Sequence, residues 1–276
     1  EATDGTLSNT DSRTDNDGIA RADWTLGTTA GVEQRLRVRI GQGLEPRDTA
    51  VLTVVAKHGD AASIVASKQS HTTAPVGSQV SVTASVLDQF GNRVYNSPVR
   101  FNVRTGGGSI SPQETHTNEQ GEVTATWTLG LVLGNQEVEA VIPSSGSAAV
   151  FSVNAIPGAP TSIEAVTSQT LTDVVGRTVS PVPAVLVRDA GSNVVPNAEV
   201  VWIANNGSYA NGQVSARSKT DASGVATVSW TLGTQAGSAS LVAAIEGDTV
   251  VFTATARADA PYRVRHISPT YTLVGV

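Results

Sequence analysis

The tetrapeptide Trp-Thr-Leu-Gly occurs three times in this chain, at Trp24–Gly27, Trp127–Gly130 and Trp230–Gly233, 103 residues apart both times. Self-similarity at a fixed period means that one structural unit has been used repeatedly. A period near a hundred residues is long enough for each copy to bury a core without disulfides or metal, which agrees with a chain that has no Cys. Each copy has the same lead-in: Thr14-Asp15-Asn16-Asp17-Gly18, Thr117-Asn118-Glu119-Gln120-Gly121 and Thr220-Asp221-Ala222-Ser223-Gly224. Two more markers recur. Val86-Leu87-Asp88-Gln89-Phe90-Gly91-Asn92-Arg93-Val94 parallels Leu186-Val187-Arg188-Asp189-Ala190-Gly191-Ser192-Asn193-Val194, and Ala62-Ser63-Ile64 parallels Thr161-Ser162-Ile163.

These markers set the expected organisation. Residues 1–57 match only the later half of a repeat. Complete repeats run over 61–156 and 160–257, and residues 261–276 match only an opening strand. Asn154-Ala155-Ile156-Pro157-Gly158-Ala159-Pro160 joins the complete copies, its prolines stiffening the joint while its Gly allows a bend. The chain holds no Met and begins Glu1-Ala2-Thr3, which points to processing or excision from a longer polypeptide.

Within a repeat the apolar residues alternate. Val80–Val86, Val99–Arg104, Glu122–Trp127, Val138–Val141 and Ala149–Val153 each place apolar side chains on every second position, the signature of strands with one buried face. Gly91-Asn92 and Gly106-Gly107-Gly108 separate them as turns. Seven or so short strands at this spacing predict an all-β, two-sheet sandwich, repeated in tandem as an elongated rod. The Asp-x-x-Gly lead-in reads as turn chemistry, with the Asx side chain capping the turn and Gly taking positive φ. The Trp that follows reads as a buried anchor.

Asp88-Gln89-Phe90-Gly91-Asn92, Gly106-Gly107-Gly108-Ser109, Thr117-Asn118-Glu119-Gln120-Gly121 and Trp127-Thr128-Leu129-Gly130 resemble the bacterial immunoglobulin-like repeats of intimin- and invasin-type surface proteins. The resemblance covers nearly the whole chain. It implies immunoglobulin-like sandwiches in an exported bacterial protein, acting as spacers or binding modules.

Chemistry-bearing patterns are sparse. The four His, at 58, 71, 116 and 266, are scattered, and no Gly-x-Ser-x-Gly elbow accompanies them, so no catalytic residue is assigned and the chain is read as not an enzyme. Zinc lacks its ligands, and the Asp11, Asp15, Asp17 cluster before Gly18 does not fit a calcium loop, so no metal or other cofactor is expected. A net charge of −6 disfavours nucleic acid. No apolar run reaches the ~18 residues of a bilayer span.

One local exception is basic. Arg35, Arg37 and Arg39 alternate with Leu36, Val38 and Ile40, placing three guanidiniums on one face of a strand, and Arg263 and Arg265 repeat the pattern near the end of the chain. Charge on a strand guards an edge against aggregation. It also suits docking to an acidic protein or anionic headgroups, so these five arginines are the candidate partner-docking residues.

Two functions remain open: a non-catalytic spacer or docking module of a bacterial cell-surface protein, or an accessory periplasmic subunit bracing a larger photosynthetic, respiratory or secretion complex. Both place the chain outside the cytoplasm and give it a protein partner, either a larger assembly or neighbouring copies.

Overall fold

The computed structural model describes residues 2–10, 12–41, 48–209, 212–261 and 263. All its regular elements there are strands. The N-terminal segment holds β1 (Thr6–Leu7), β2 (Trp24–Thr25), β3 (Glu33–Ile40) and β4 (Asp48–Val55). The first sandwich follows with β5 (Ser63–Gln69), β6 (Thr73–Pro75), β7 (Gln79–Leu87), β8 (Pro98–Thr105), β9 (Gly108–Ser111), β10 (Glu114–His116), β11 (Glu122–Leu129), β12 (Gly134–Val141) and β13 (Ala148–Ile156). The second holds β14 (Pro160–Ala165), β15 (Thr170–Val174), β16 (Ala184–Asp189), β17 (Glu199–Asn205), β18 (Gly207–Ser208), β19 (Ser215–Lys219), β20 (Val225–Thr227), β21 (Thr231–Leu232), β22 (Gly237–Ile245) and β23 (Asp248–Arg257). Each sandwich thus has more strands than the sequence pattern suggests. The extra ones, such as β6, β9 and β10, are too short to show alternation.

In the first sandwich a sheet ordered β5-β7-β11-β9 faces a sheet ordered β10-β8-β12-β13-β6. The inward residues of the expected strands meet between them: Val80, Val82, Phe101, Val123, Trp127, Val138, Phe151 and Val153 belong to one buried cluster. The last strand, β13, takes antiparallel β12 on one side and a short parallel strand, β6, on the other.

The second sandwich repeats this plan around Val185, Val187, Trp202, Trp230, Leu241 and Phe252. Its larger sheet runs β15-β23-β22-β17-β19, again with a parallel outer strand, β15. Its smaller sheet is interrupted. β7 pairs with β11 over seven positions, from Glu122↔Ser85 to Thr128↔Gln79, whereas β16 pairs with β20 over three. Ser180-Pro181-Val182-Pro183 stands just ahead of β16, and neither proline has an N–H to give to a neighbouring strand. Trp230 therefore lies just outside a strand, yet it is as fully buried as Trp127.

By backbone contacts the chain divides into Glu1–Ile156 and Pro157–Val276. The N-terminal segment groups with the first sandwich, since its residues form no core cluster of their own among the described residues. No helix of the described residues is long and apolar enough to cross a membrane.

A candidate interaction surface on the N-terminal hairpin

β3 and β4 form an antiparallel hairpin, registered from Glu33↔Val55 to Ile40↔Asp48. It corresponds strand for strand to β12 and β13. In both places a buried Gln near the start of the first strand holds the glycine of Trp-Thr-Leu-Gly by a two-way amide clasp. Gly27 N–H donates to Gln34 Oε1 at 2.8 Å, and Gln34 Nε2 donates to Gly27 O at 3.2 Å. Gly130 N–H donates to Gln136 Oε1 at 2.8 Å, and Gln136 Nε2 donates to Gly130 O at 3.1 Å. The correspondence extends upstream. β1 pairs with β2 through Thr6↔Thr25 and Leu7↔Trp24, as β9 pairs with β11 through Ser109↔Thr128 and Ile110↔Trp127. Gly5 and Gly108 share a positive φ, and a Cβ on either would strike the backbone of the opposite strand within 3 Å.

The surroundings of the two hairpins differ. In β12, the residue after it and β13 the inward face is shut: Ala140 and Ile142 are 0% exposed and Phe151 2%. The matching residues of β3 and β4 are open, with Val38 at 45%, Ile40 at 65% and Leu52 at 52%. No counterpart of β5 to β8 lies over them among the described residues. Trp24 is half-buried, unlike Trp127 and Trp230, and gives its indole N–H to Asp4 O at 3.1 Å.

The opposite face of the hairpin carries the predicted basic stripe. Arg35, Arg37 and Arg39 are exposed on it, across from Thr53, Val51 and Thr49. Arg35 pairs with Glu33 at 2.6 Å, both side chains in solvent, a contact worth well under about 1 kcal/mol. Arg263 is exposed, and Arg265 and His266 lie outside the described residues. The structure therefore places three of the five candidate arginines on one strand, while Arg263 belongs to the other unit of the chain.

The recurrent turn motifs act as hydrogen-bond hubs. In the lead-in, Asp15 Oδ1 accepts from the N–H groups of Asp17 and Ile19, Asn118 Oδ1 from Gln120 and Glu122, and Asp221 Oδ1 from Ser223 and Val225. The Ile19 N–H in particular lowers the Asp15 carboxyl below its ordinary value. The Thr preceding each cap has a separate role. Buried Thr117 accepts from Ser97 N–H at 2.9 Å and donates to Val94 O at 2.6 Å; Thr220 does the same with Ala198 and Val195. Their counterpart Thr14 is exposed.

A second hub ties each sandwich to the segment leading into it. Asp88 is buried. Its Oδ1 accepts from Phe90 and Asn92 N–H, and its Oδ2 from the Asn92 amide and from Gly59 N–H at 2.9 Å. Asp189 is likewise buried and accepts from Gly191, Asn193 and, at 2.9 Å, Gly158 N–H. Burial alone would raise both carboxyls, but the amide and N–H donors outweigh it; Asp88 is lowered to about 2 and Asp189 is also lowered. Asn92 then reaches back to the N-terminal segment. Its Nδ2 donates to Thr28 O at 2.8 Å, and its Oδ1 accepts from Ala30 N–H at 3.0 Å. His58 completes the joint, with Nδ1 toward Gly59 O and Nε2 accepting from Tyr95 N–H at 3.1 Å.

Among the described residues no three His, Cys, Asp or Glu side chains are grouped to hold a metal. A surface depression along β8 is lined by Arg100, Phe101, Asn102, Gln113 and Glu114, and Arg100 and Glu114 pair with each other. Tyr209, buried in the second sandwich with its hydroxyl pushed up to about 12, stays protonated and packs as core.

Residues 62–156 match the family model of the bacterial Ig-like domain (group 1). This chain is similar to that family over those residues. Over 100 residues, 36% of the chain, it is 31% identical to the inverse autotransporter adhesin YeeJ of Escherichia coli K12; the match spans 4% of that protein's length. Among solved structures, the Escherichia coli adhesin FdeC matches over 92% of this chain and 86% of its own, with 22% identity and a TM-score of 0.51, a likeness of fold. The D0-D1 domain of intimin matches over 70% of this chain and 95% of its own, with 25% identity and a TM-score of 0.29. The two-sheet sandwich expected from the alternation, and its Ig-like form implied by the resemblance, are the fold observed.

Proposed function

We propose that this chain is a non-catalytic, extracytoplasmic module of a bacterial cell-surface protein, in which Ig-like domains serve as spacers and docking elements. The observation that carries this reading is the Asp88–Asn92 loop. It spends its side chains on the incoming Gly59 segment and on the Thr28–Ala30 turn of the element before it. Such a loop orients successive elements, and its carboxylate, its amide and the neighbouring His58 are all engaged with backbone groups. The adhesins YeeJ and FdeC support the surface assignment by likeness. The exposed face of Arg35, Arg37 and Arg39, with Arg263 and Arg265 as further candidates, is the proposed docking surface for an acidic protein partner.

A second reading, an accessory periplasmic subunit bracing a membrane complex, is favoured by the open apolar face of the β3–β4 hairpin, which a larger assembly would cover. Antibody against residues 61–156 applied to the native bacterium separates the two. Labelling of intact cells, abolished by external protease, is the result expected of the surface module. An epitope reached only after the outer membrane is opened, co-purifying with a membrane complex, favours the accessory subunit. A cytoplasmic epitope contradicts both.

A further inference from the structure

The two complete sandwiches differ at one edge of the larger sheet. β19 pairs with β17 over five positions, from Glu199↔Lys219 to Ile203↔Ser215, whereas β10 pairs with β8 over three, from Pro98↔His116 to Arg100↔Glu114. The registers put Phe101 level with Trp202 and Val103 level with Ala204. In the second sandwich the hydrogen bonding runs on to Ala204, whose N–H donates to Val214 O at 2.8 Å. In the first it stops at Phe101, whose N–H donates to Gln113 O at 2.7 Å. Backbone groups alternate in direction along a strand, so Val103, two residues on, turns its N–H and C=O to the same side. Among the described residues no strand pairs with Val103 on that side.

The cause lies in the sequence. The first repeat has two residues fewer between Phe101 and Thr117 than the second has between Trp202 and Thr220. Counted back from the shared Thr, Ser111 and Pro112 take the places of Val214 and Ser215. Ser111 is drawn to the opposite sheet, where it pairs with Thr126, and Pro112 has no N–H to offer β8. A depression of about 530 Å³ opens there, with Asn102, Val103, Gly108, Ser109 and Gln113 in its lining. Val103 is half-buried, while Ala204 at its place is 7% exposed.

We infer that this notch is a binding site for a short extended segment of a partner protein, added antiparallel to β8 in line with β10 and carrying an acidic residue followed by an apolar one. Its size falls within the ~300–1,000 Å³ of ordinary ligand sites. Val214 and Ser215 show the path such a segment takes along the matching edge. The partner's apolar residue stands opposite Val103, covers its half-buried side chain and exchanges two backbone hydrogen bonds with it. The residue before it comes beside Arg104. That side chain is 46% exposed and holds Glu139, on β12, at 3.7 Å, so an acidic group can approach from the edge. The same pairing is already made a step away, where Arg100 of β8 meets Glu114 directly across on β10. A β-bulge between Val138↔Val103 and Glu137↔Thr105 ends the regular edge and keeps the added segment short. This inference goes beyond the spacer reading and rests neither on it nor on the arginine stripe of β3.

The test uses the full chain and, as probe, the synthetic peptide acetyl-Thr-Glu-Val-Ser-Thr-amide, with binding followed by amide NMR shifts and hydrogen exchange. The expected result is saturable binding, with shifts centred on Asn102, Val103 and Gln113 and slower exchange of the Val103 N–H. Replacing the peptide's Val by N-methylvaline removes its backbone donor, leaves the protein untouched and should weaken binding about tenfold or more. Arg104→Glu should weaken it about fivefold or more, and should reverse the preference toward a peptide with Lys in place of Glu. Unchanged amide shifts in β7 and β11 report that the first sandwich is intact in that variant. No saturable binding, shifts centred elsewhere, or indifference to both changes overturns the inference. Protection of Val103 that rises with protein concentration in the absence of peptide also overturns it, by assigning the notch to a second copy.

Discussion

The β3–β4 hairpin and the β12–β13 hairpin share a register, a glutamine clasp and an alternating apolar face, and they differ in whether a second sheet lies across that face. The difference separates local from tertiary determinants. Local chemistry sets the strand pairing and the turn: Gln34 is as fully buried as Gln136 although, among the described residues, only β1 and β2 stand for the opposing sheet. Tertiary packing sets the energetic value of the aliphatic residues. Phe151 sits in a closed core and Leu52 is half exposed, at the same place in the repeat.

The sharpest way to break this comparison is to truncate both. Phe151→Ala should destabilise the first sandwich by about 3–5 kcal/mol, because it leaves a cavity between two sheets. Leu52→Ala should change it by about 0.5 kcal/mol or less, as an exposed site does. Native-state hydrogen exchange at the β7 and β11 amides reads both. Comparable costs would mean that β4 is packed against something the fold does not reveal.

A smaller effect is expected at the joint. Asp88→Ala strands four donors, including Gly59 N–H, and should cost about 2–3 kcal/mol, with faster exchange at Ala30 as the Asn92 contacts loosen. The same carboxylate sets a pH dependence. Its folded-state value, about 2, lies below the unfolded 3.8, so its stabilisation is full above pH 3.8 and is lost as pH falls from there toward 2. Acid titration of wild type against Asp88→Asn should therefore show the wild type losing more stability across that window.

The smallest contrast sharpens the comparison rather than breaking it. Gln34→Ala takes both clasp partners from half-buried Gly27, and Gln136→Ala takes the N–H acceptor from buried Gly130 and leaves its C=O only the longer contact from Gly77 N–H at 3.4 Å. Each should cost about 1–2 kcal/mol, measured by exchange at Gly27 and Gly130, because the clasp is local in both places.

The strands were legible because alternation is a property of neighbouring residues: Val80–Val86 and Val99–Arg104 lie within β7 and β8. The Asp-x-x-Gly caps were legible for the same reason. The stitch made by Thr117 was hidden, although its Thr recurs at the same 103-residue spacing, because its partners Val94 and Ser97 lie across a turn. The clasp of Gln136 lay deeper still, since the second sandwich has no Gln there and instead brings Asn206 to Gly233. Asn92 read as a turn residue because its contacts to Thr28 and Ala30 cross from one element to another, a distance no local pattern encodes. The basic stripe was legible as a face of one strand because alternation is local.

Hydrogen exchange compared between the two hairpins in the untreated chain tests the central claim most directly. The account predicts that the Val138 and Phe151 amides exchange only through unfolding of the first sandwich, while those of Val38 and Leu52 exchange orders of magnitude faster, through local opening of a hairpin with one uncovered face. Equal protection of the two hairpins would contradict it, and would mean that β3 and β4 already lie within a closed core.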